Sequence, residues 1–283
     1  MLVEDFAVAA GWTLVFAVEA FLLLYIARWA YTAVYHRFDL KEELFGRNNP
    51  AAAVAFSGYL FGIVIALGGV LGGVSTGWQD ALVGIAVYGL ISIVLMLVAA
   101  FVCDKVLLTG FDNTKEIAVD RNVGAAFVEA GIHIANGLVL LRINQGTGPW
   151  WSGLVFWVMV QAVLVLAGWL YEVATSHGVK SQIERDNAAV GLAFAGALVG
   201  LGNILSLAGG GDFTGWNESL RFFALDAVFG LVFLYLVKVL SARLLVSGTN
   251  LAEEQLEEEP NIGAGLIEAF GYVGGSFMVV WLL

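Results

Sequence analysis

Cysteine, histidine and charge are all scarce in this chain, and each scarcity removes a class of explanation. Among 283 residues there is one cysteine, Cys103, so neither an intramolecular disulfide nor a cysteine-cluster metal site can form. The three histidines, His36, His133 and His177, are too few for a His-rich zinc centre, and the helical zinc pattern His-Glu-x-x-His is absent. Only 13% of the residues are charged and 60% are apolar. A soluble domain carries about 25% charge, so this chain is expected to live in a bilayer. Basic residues number 13 against 24 acidic ones, and the resulting formal charge of −11 argues against nucleic acid as a partner. No serine, cysteine or phosphate-loop constellation is present, so neither enzymatic activity nor a cofactor is expected. The acidic start, Met-Leu-Val-Glu-Asp, lacks the basic region of a cleavable signal, and the first apolar segment is expected to remain in the mature protein.

Long apolar runs are what the chain has instead. A spanning helix needs about 20 mostly apolar residues. Runs of that length lie near 10 to 35, 49 to 74, 81 to 103, 121 to 143, 150 to 173, 187 to 209, 219 to 245 and 261 to 283. The fold class is therefore an all-α polytopic membrane protein with eight transmembrane helices. The 35 glycines sit inside these runs, where small residues let helices approach closely.

The chain is also written twice. Asn-Val-Gly-Ala-Ala-Phe-Val-Glu-Ala from Asn122 returns as Asn-Ile-Gly-Ala-Gly-Leu-Ile-Glu-Ala from Asn261. Phe56, Gly58 and Gly62 return as Phe194, Gly196 and Gly200, and the hairpin Thr76 to Leu82 returns as Thr214 to Leu220. The domains are thus two four-helix repeats, 1–145 and 146–283. Each contains an even number of spans, so the halves are parallel, with a pseudo-two-fold axis expected along the membrane normal. Eleven of the 13 Lys and Arg residues gather at one set of helix ends, leaving only Arg142 and Arg221 at the other. That asymmetry puts the loops near 36 to 48, 104 to 120, 174 to 186 and 246 to 260 in the cytoplasm and both termini outside. Trp78 and Trp216 suit the interfacial aromatic belt. Asp80 and Glu218 fall in the first turn of the next helix, where negative charge complements the dipole. Gly58-x-x-x-Gly62 and Gly196-x-x-x-Gly200 are packing faces, expected near the pseudo-two-fold axis. The run Glu253, Glu254, Glu257, Glu258 and Glu259 reads as a solvated loop.

The polar residues inside the runs are the candidate site. Asn122, Glu129, His133 and Asn136 share one stripe of the fourth helix, and Asn261, Glu268, Tyr272 and Gly275 repeat it on the eighth. The two carboxylates lie about 10 Å inside the membrane boundary at 1.5 Å per residue, with His133 near the midplane. Intramembrane acids mark ion pathways or proton relays, although an acid that only bridges helices is the alternative. An imidazole with an ordinary pKa near 6.5 suits a relay or a packing contact equally. Glu129 and His133, four residues apart, could also share one metal. Glu19, Gln161 and Asp226 lie at similar depth, and an approach of Glu19 to His133 is compatible with their positions. Asn203 reads as a packing hydrogen bond.

Two four-helix units, each with Asn49 or Asn187 opening its second helix, an outer hairpin, and a last helix bearing Asn-x-Gly-Ala-x-x-x-Glu-Ala, resemble the YjfL-like bacterial inner-membrane family, domain of unknown function 350. Pro50 departs from that pattern in the first copy. The resemblance implies a protein of the bacterial cytoplasmic membrane whose single-unit relatives would pair, and an association with envelope-stress proteins of the phage-shock type. It implies no substrate. Two functions then compete. One is a proton- or cation-coupled channel or transporter using Glu129 and Glu268, with His133 and Tyr272 as unequal relays. The other is a non-transporting scaffold or envelope-stress component that recruits a cytoplasmic protein through its loops. Besides the lipid bilayer, a homo-oligomer formed through the glycine faces is a compatible partner.

Overall fold

The computed structural model describes residues 2–36, 38–73, 77–110, 112–175, 178–210, 213 and 215–283. Arg37, Thr76, His177 and Thr214, which entered the charge, hairpin and histidine arguments, lie outside the described residues. Eight long helices follow the apolar runs: α1 Leu2–Val34, α2 Pro50–Leu71, α3 Trp78–Val102, α4 Val123–Gln145, α5 Trp150–Ala174, α6 Ala188–Leu205, α7 Trp216–Leu244 and α8 Ile262–Leu282. All eight are long and apolar enough to cross a membrane, α6 by continuing into the tighter turn Ser206–Gly209. The protein is a multi-pass, all-helical membrane protein, and there is no strand among the described residues.

The boundaries differ from the apolar runs mainly at N-termini. α1 begins at Leu2, ahead of the apolar run near 10 to 35. α3 and α7 begin at Trp78 and Trp216, with Asp80 and Glu218 in their first turns. Trp78 stacks on Trp12 at 4.9 Å, and the repeat-equivalent Trp216 packs on Trp151 at 5.4 Å. These pairs mark the end of the bundle with short hairpins. The other end carries the longer loops, which fold into the short helices Asn113–Ala118, Val179–Glu184 and Leu251–Glu254.

The even-numbered helices form a row in which α2 packs on α4, α4 on α6 and α6 on α8. The odd helices flank it, with α1 and α3 against α2, and α5 and α7 against α6. Close backbone approach makes the row. A Cβ on Gly58 would strike Ala130, one on Gly131 would strike Ala195, and one on Gly196 would strike Ala269. In lipid, where helix association gains little from the hydrophobic effect, such dispersion contacts carry the packing.

This corrects the expected place of the glycine faces. Gly58 and Gly62 lie between α2 and α4, and Gly196 and Gly200 between α6 and α8, so both pairs pack within a repeat. The repeats meet elsewhere, through Gly124, Gly131 and Ala135 of α4 against Gly191, Ala195 and Gly202 of α6. A closed two-fold relation would match that contact with α8 on α2. No comparable α8–α2 contact exists among the described residues. The row is therefore open at both ends.

Every even helix starts with the same device. Asn49, Asn122, Asn187 and Asn261 are N-caps in extended conformation whose Oδ1 accepts backbone N–H groups of the first turn. Each cap's own N–H donates to the carbonyl of Glu43, Glu116, Gln182 or Glu254. Its Nδ2 donates to the side chain of that same residue. Pro50 fits at the first position of α2 because its missing N–H would find no intrahelical partner there.

Candidate functional site

Each repeat builds one buried carboxylate cluster from three segments. In the first, the early turns of α4 carry Glu129 to the level of Tyr31 near the end of α1 and of Asn113 in the short helix Asn113–Ala118. Tyr31 donates its hydroxyl to Glu129 Oε1 at 3.3 Å, and Asn113 Nδ2 donates to Oε2 at 2.8 Å. Asp112 caps the short helix by accepting from Lys115 N–H. Lys115 Nζ bonds Asp120 Oδ2 at 2.9 Å, and that hydrogen bond raises the ammonium pKa above its ordinary value.

The second cluster uses equivalent positions with different chemistry. Glu268 on α8 accepts Tyr171 from α5 at 3.4 Å and Tyr272 from its own helix at 3.2 Å, both on Oε1. Gln255, just after the short helix Leu251–Glu254, donates Nε2 to Oε2 at 2.6 Å. The Lys238 ammonium stands 5.2 Å from the centre of the Tyr171 ring, in cation–π range. Both carboxylates are buried, and each joins the first helix, the last helix and the preceding loop of its half.

The clusters diverge at one position. Where the second has Tyr272, the first has His133, which is 0% exposed. Its Nε2 is 3.8 Å from Glu129 Oε1, too far for a hydrogen bond, and neither ring nitrogen has a hydrogen-bond partner. The Tyr59 ring meets the imidazole edge-on at 5.0 Å, while the Tyr59 hydroxyl is committed to Ala27 O at 3.1 Å. An unpaired buried polar group costs about 1–3 kcal/mol, so an orphaned imidazole beside a carboxylate calls for a chemical reason.

The other candidates are placed differently. Asn122 and Asn261 are caps, with both amide ends used at the helix start and no bond to either carboxylate. Glu19 on α1 does not bond to His133, and its Oε2 is buried without a partner. Asn136 ties α4 to α5 by accepting from Trp157 at 3.0 Å and Gln161 at 2.7 Å. Asn203 donates to Ser276 at 3.1 Å across α6 and α8, a packing bond as its sequence context suggests. Tyr31, Tyr171 and the loop amides Asn113 and Gln255 are cluster residues that the sequence pattern did not single out, whereas Tyr272 was among its candidates. Trp29-x-Tyr31 returning as Trp169-x-Tyr171 carried a usable signal. Asn113 and Gln255 carried none, since the residue type changes and the loop length differs. Among the described residues no three His, Cys, Asp or Glu side chains converge on a metal-sized site.

Two cavities bracket the clusters. The larger, about 1130 Å³, opens at the hairpin end between α3, α7 and the α4–α5 link. Repeat-equivalent positions line it in pairs, including Asp80 with Glu218, Ala81 with Ser219 and Tyr88 with Asp226. The smaller, about 350 Å³, lies at the long-loop end beside Asp39, Glu43, Arg47 and Asp112. Neither is lined by Glu129, His133 or Glu268.

A family model described as Domain of Unknown Function (DUF350) matches residues 1–142 and again residues 146–283. No curated protein and no solved structure matches the chain.

Proposed function

The chain belongs to the DUF350 family as two tandem copies of its domain, and on that premise we propose a proton- or cation-coupled channel or transporter in which Glu129 and His133 hold the moving proton. The observation that carries this reading is the orphaned imidazole 3.8 Å from a buried carboxylate. Tyr31 and Asn113 donate to both oxygens of Glu129, so each oxygen is already engaged by a fixed donor. A proton arriving at the pair then has the unprotonated imidazole nitrogen, which makes no hydrogen bond, as its acceptor. A sub-ångström closure of the Glu129–His133 gap makes the hydrogen bond through which it passes. Glu268 has no such neighbour, because Tyr272 donates to it and is not a comparable base. The two repeats thus divide into a proton-exchanging unit and a unit that holds its carboxylate fixed.

The cavity at the hairpin end offers such a pair a route for cations, with the acidic residues Asp80, Glu218 and Asp226 in its wall. In this reading the basic, long-loop end faces the bacterial cytoplasm, both termini face outward, and the protein is not an enzyme.

A specific observation favours a second reading. Both carboxylates have hydrogen-bond donors on both oxygens, and neither cavity reaches them. Clasps of that kind suit a scaffold that presents its loop helices to a cytoplasmic protein. Proton and monovalent-cation flux into liposomes containing the purified protein decides between the two. Transport requires flux that is lost in Glu129→Gln with Glu268→Gln and in His133→Gln alone, each still eluting as folded protein. Since the imidazole makes no hydrogen bond, His133→Gln should leave stability within about 1 kcal/mol of the parent. Flux that survives these changes removes the proposed roles, and absence of flux in the parent under several gradients leaves the scaffold.

A further inference from the structure

The open row of even helices has one end that offers a contact and another that accepts it. Inside the chain the Asn caps link each unit to the next. Asn49 Nδ2 donates to Ile117 O at 2.9 Å, Asn122 to Ile183 O at 2.6 Å, and Asn187 to Gln255 O at 2.8 Å. Each receiving carbonyl lies in the turn just before the next even helix. Asn261, the last cap, keeps its bond to Glu254 but is exposed and, among the described residues, donates to no such carbonyl. At the other end, among the described residues, no Asn cap side chain donates to a carbonyl of the turn before α2, where the backbone bond of Asn49 to Glu43 O stays within the turn. Its Phe45, equivalent to the fully buried Ile183, is 81% exposed.

The junction between the halves supplies a second, matching contact. Asp186 Oδ1 accepts Val123 N–H at 2.6 Å and Gly124 N–H at 3.3 Å, crossing from the turn before α6 to the first turn of α4. The equivalents are Asn48, in the same left-handed conformation at φ 50° against 60° for Asp186, and Ile262 with Gly263 on α8. Asn48, Ile262 and Gly263 are all exposed. A carboxamide oxygen accepts such N–H groups as a carboxylate does, so the pairing chemistry is present at both free ends.

We infer that a second copy of this chain docks head to tail, its α2 and preceding turn seated on α8 of the first, as α6 seats on α4 within one chain. Because the helices of both copies stand in one bilayer, the step from copy to copy is a rotation about the membrane normal, and repetition closes a ring where that rotation divides a full turn. The contact is wider than those inside the chain. Nine residues after the cap, where α2, α4 and α6 have Gly58, Gly131 and Gly196, α8 has Phe270, which is 62% exposed. Opposite it, where the internal contacts present Ala130, Ala195 and Ala269, α2 presents the exposed Ser57. The Phe270 ring fills the space between the helices, over Ala53 and Ser57, in place of a backbone crossing.

Cysteine cross-linking in native membranes tests this directly. Asn48→Cys and Ile262→Cys are placed on separate, differently tagged chains and co-expressed, with the buried Cys103 retained throughout. Mild oxidation should shift the pair from 30.2 kDa to twice that mass, and the double variant on one chain should give twice that mass or a higher multiple. Each variant expressed alone should stay at one chain mass. Val123→Cys with Asp186→Cys, cross-linking within a chain, confirms that the oxidant reaches this depth and that the geometry suffices. If that control closes while the co-expressed pair does not, lipid covers the α8 and α2 faces and the inference falls. Cross-linking of either variant to itself would equally overturn it, because that result requires a symmetric contact in place of a head-to-tail one.

Discussion

Replacing Gly62 by alanine should destabilise the protein, against the ordinary preference of helices for alanine. The position lies mid-helix in α2, where a glycine is worth about 1 kcal/mol less than alanine, so intrinsic propensity alone predicts a gain. Packing reverses the sign. A Cβ at Gly62 would overlap the carbonyl of His133 and approach Met96 Cε to 3.1 Å. The Met96 end can swing away, but the His133 carbonyl is backbone inside the buried α4 and can move only if the helix moves. Overpacking of this kind costs about 1–3 kcal/mol, leaving a net loss of up to about 2 kcal/mol after the propensity gain. Gly11 in α1 is the control, since a Cβ there meets nothing within 4 Å and Gly11→Ala should stabilise by about 0.5–1 kcal/mol. Denaturation by SDS in mixed micelles, followed through the nine tryptophans, reads both effects. A Gly62→Ala variant as stable as Gly11→Ala would refute the close α2–α4 crossing. Because the clash is with the residue that carries the imidazole, the same variant should also lose flux if His133 acts as proposed.

The two carboxylate clusters should respond unequally to loss of a hydroxyl. Tyr31→Phe removes a buried donor to Glu129 Oε1 and should cost about 1.5–3 kcal/mol, whereas Tyr171→Phe removes a longer bond, at 3.4 Å, and leaves Tyr272 on the same oxygen of Glu268, so it should cost about half that, read by the same denaturation. Equal losses would show that the clusters are not held as described. The caps should separate in the same way: Asn122→Ala loses a buried cap and leaves Glu116 and Ile183 O short of a donor, about 3 kcal/mol, while Asn261→Ala in monomeric detergent solution should cost about 1 kcal/mol. Similar losses for both would contradict the open end of the row.

The class and the plan of this protein are legible in its residues alone. Eight apolar runs could only be satisfied as helices in lipid, because no other element closes its own backbone hydrogen bonds there. Residues repeated in register, such as Trp78 with Trp216 and Glu129 with Glu268, reported the duplication without any knowledge of contacts. Hydropathy and repetition are local properties of a one-dimensional string, so they survive in it. Which groups meet is set by the packing of the helices. Tyr31 reaches Glu129 across 98 positions of chain, and Asn113 reaches it from a loop whose equivalent residue is Gln255. The glycine stripes of α2 and α6 were visible, but a stripe does not name its partner, and α4 and α8 became the partners through the order of helices in the row. The Asn at the head of the fourth and eighth runs looked like part of an intramembrane polar stripe because helical spacing places it there. It serves instead as a cap, since the first backbone N–H groups of a helix have no partner within it and a carboxamide at that position satisfies them first.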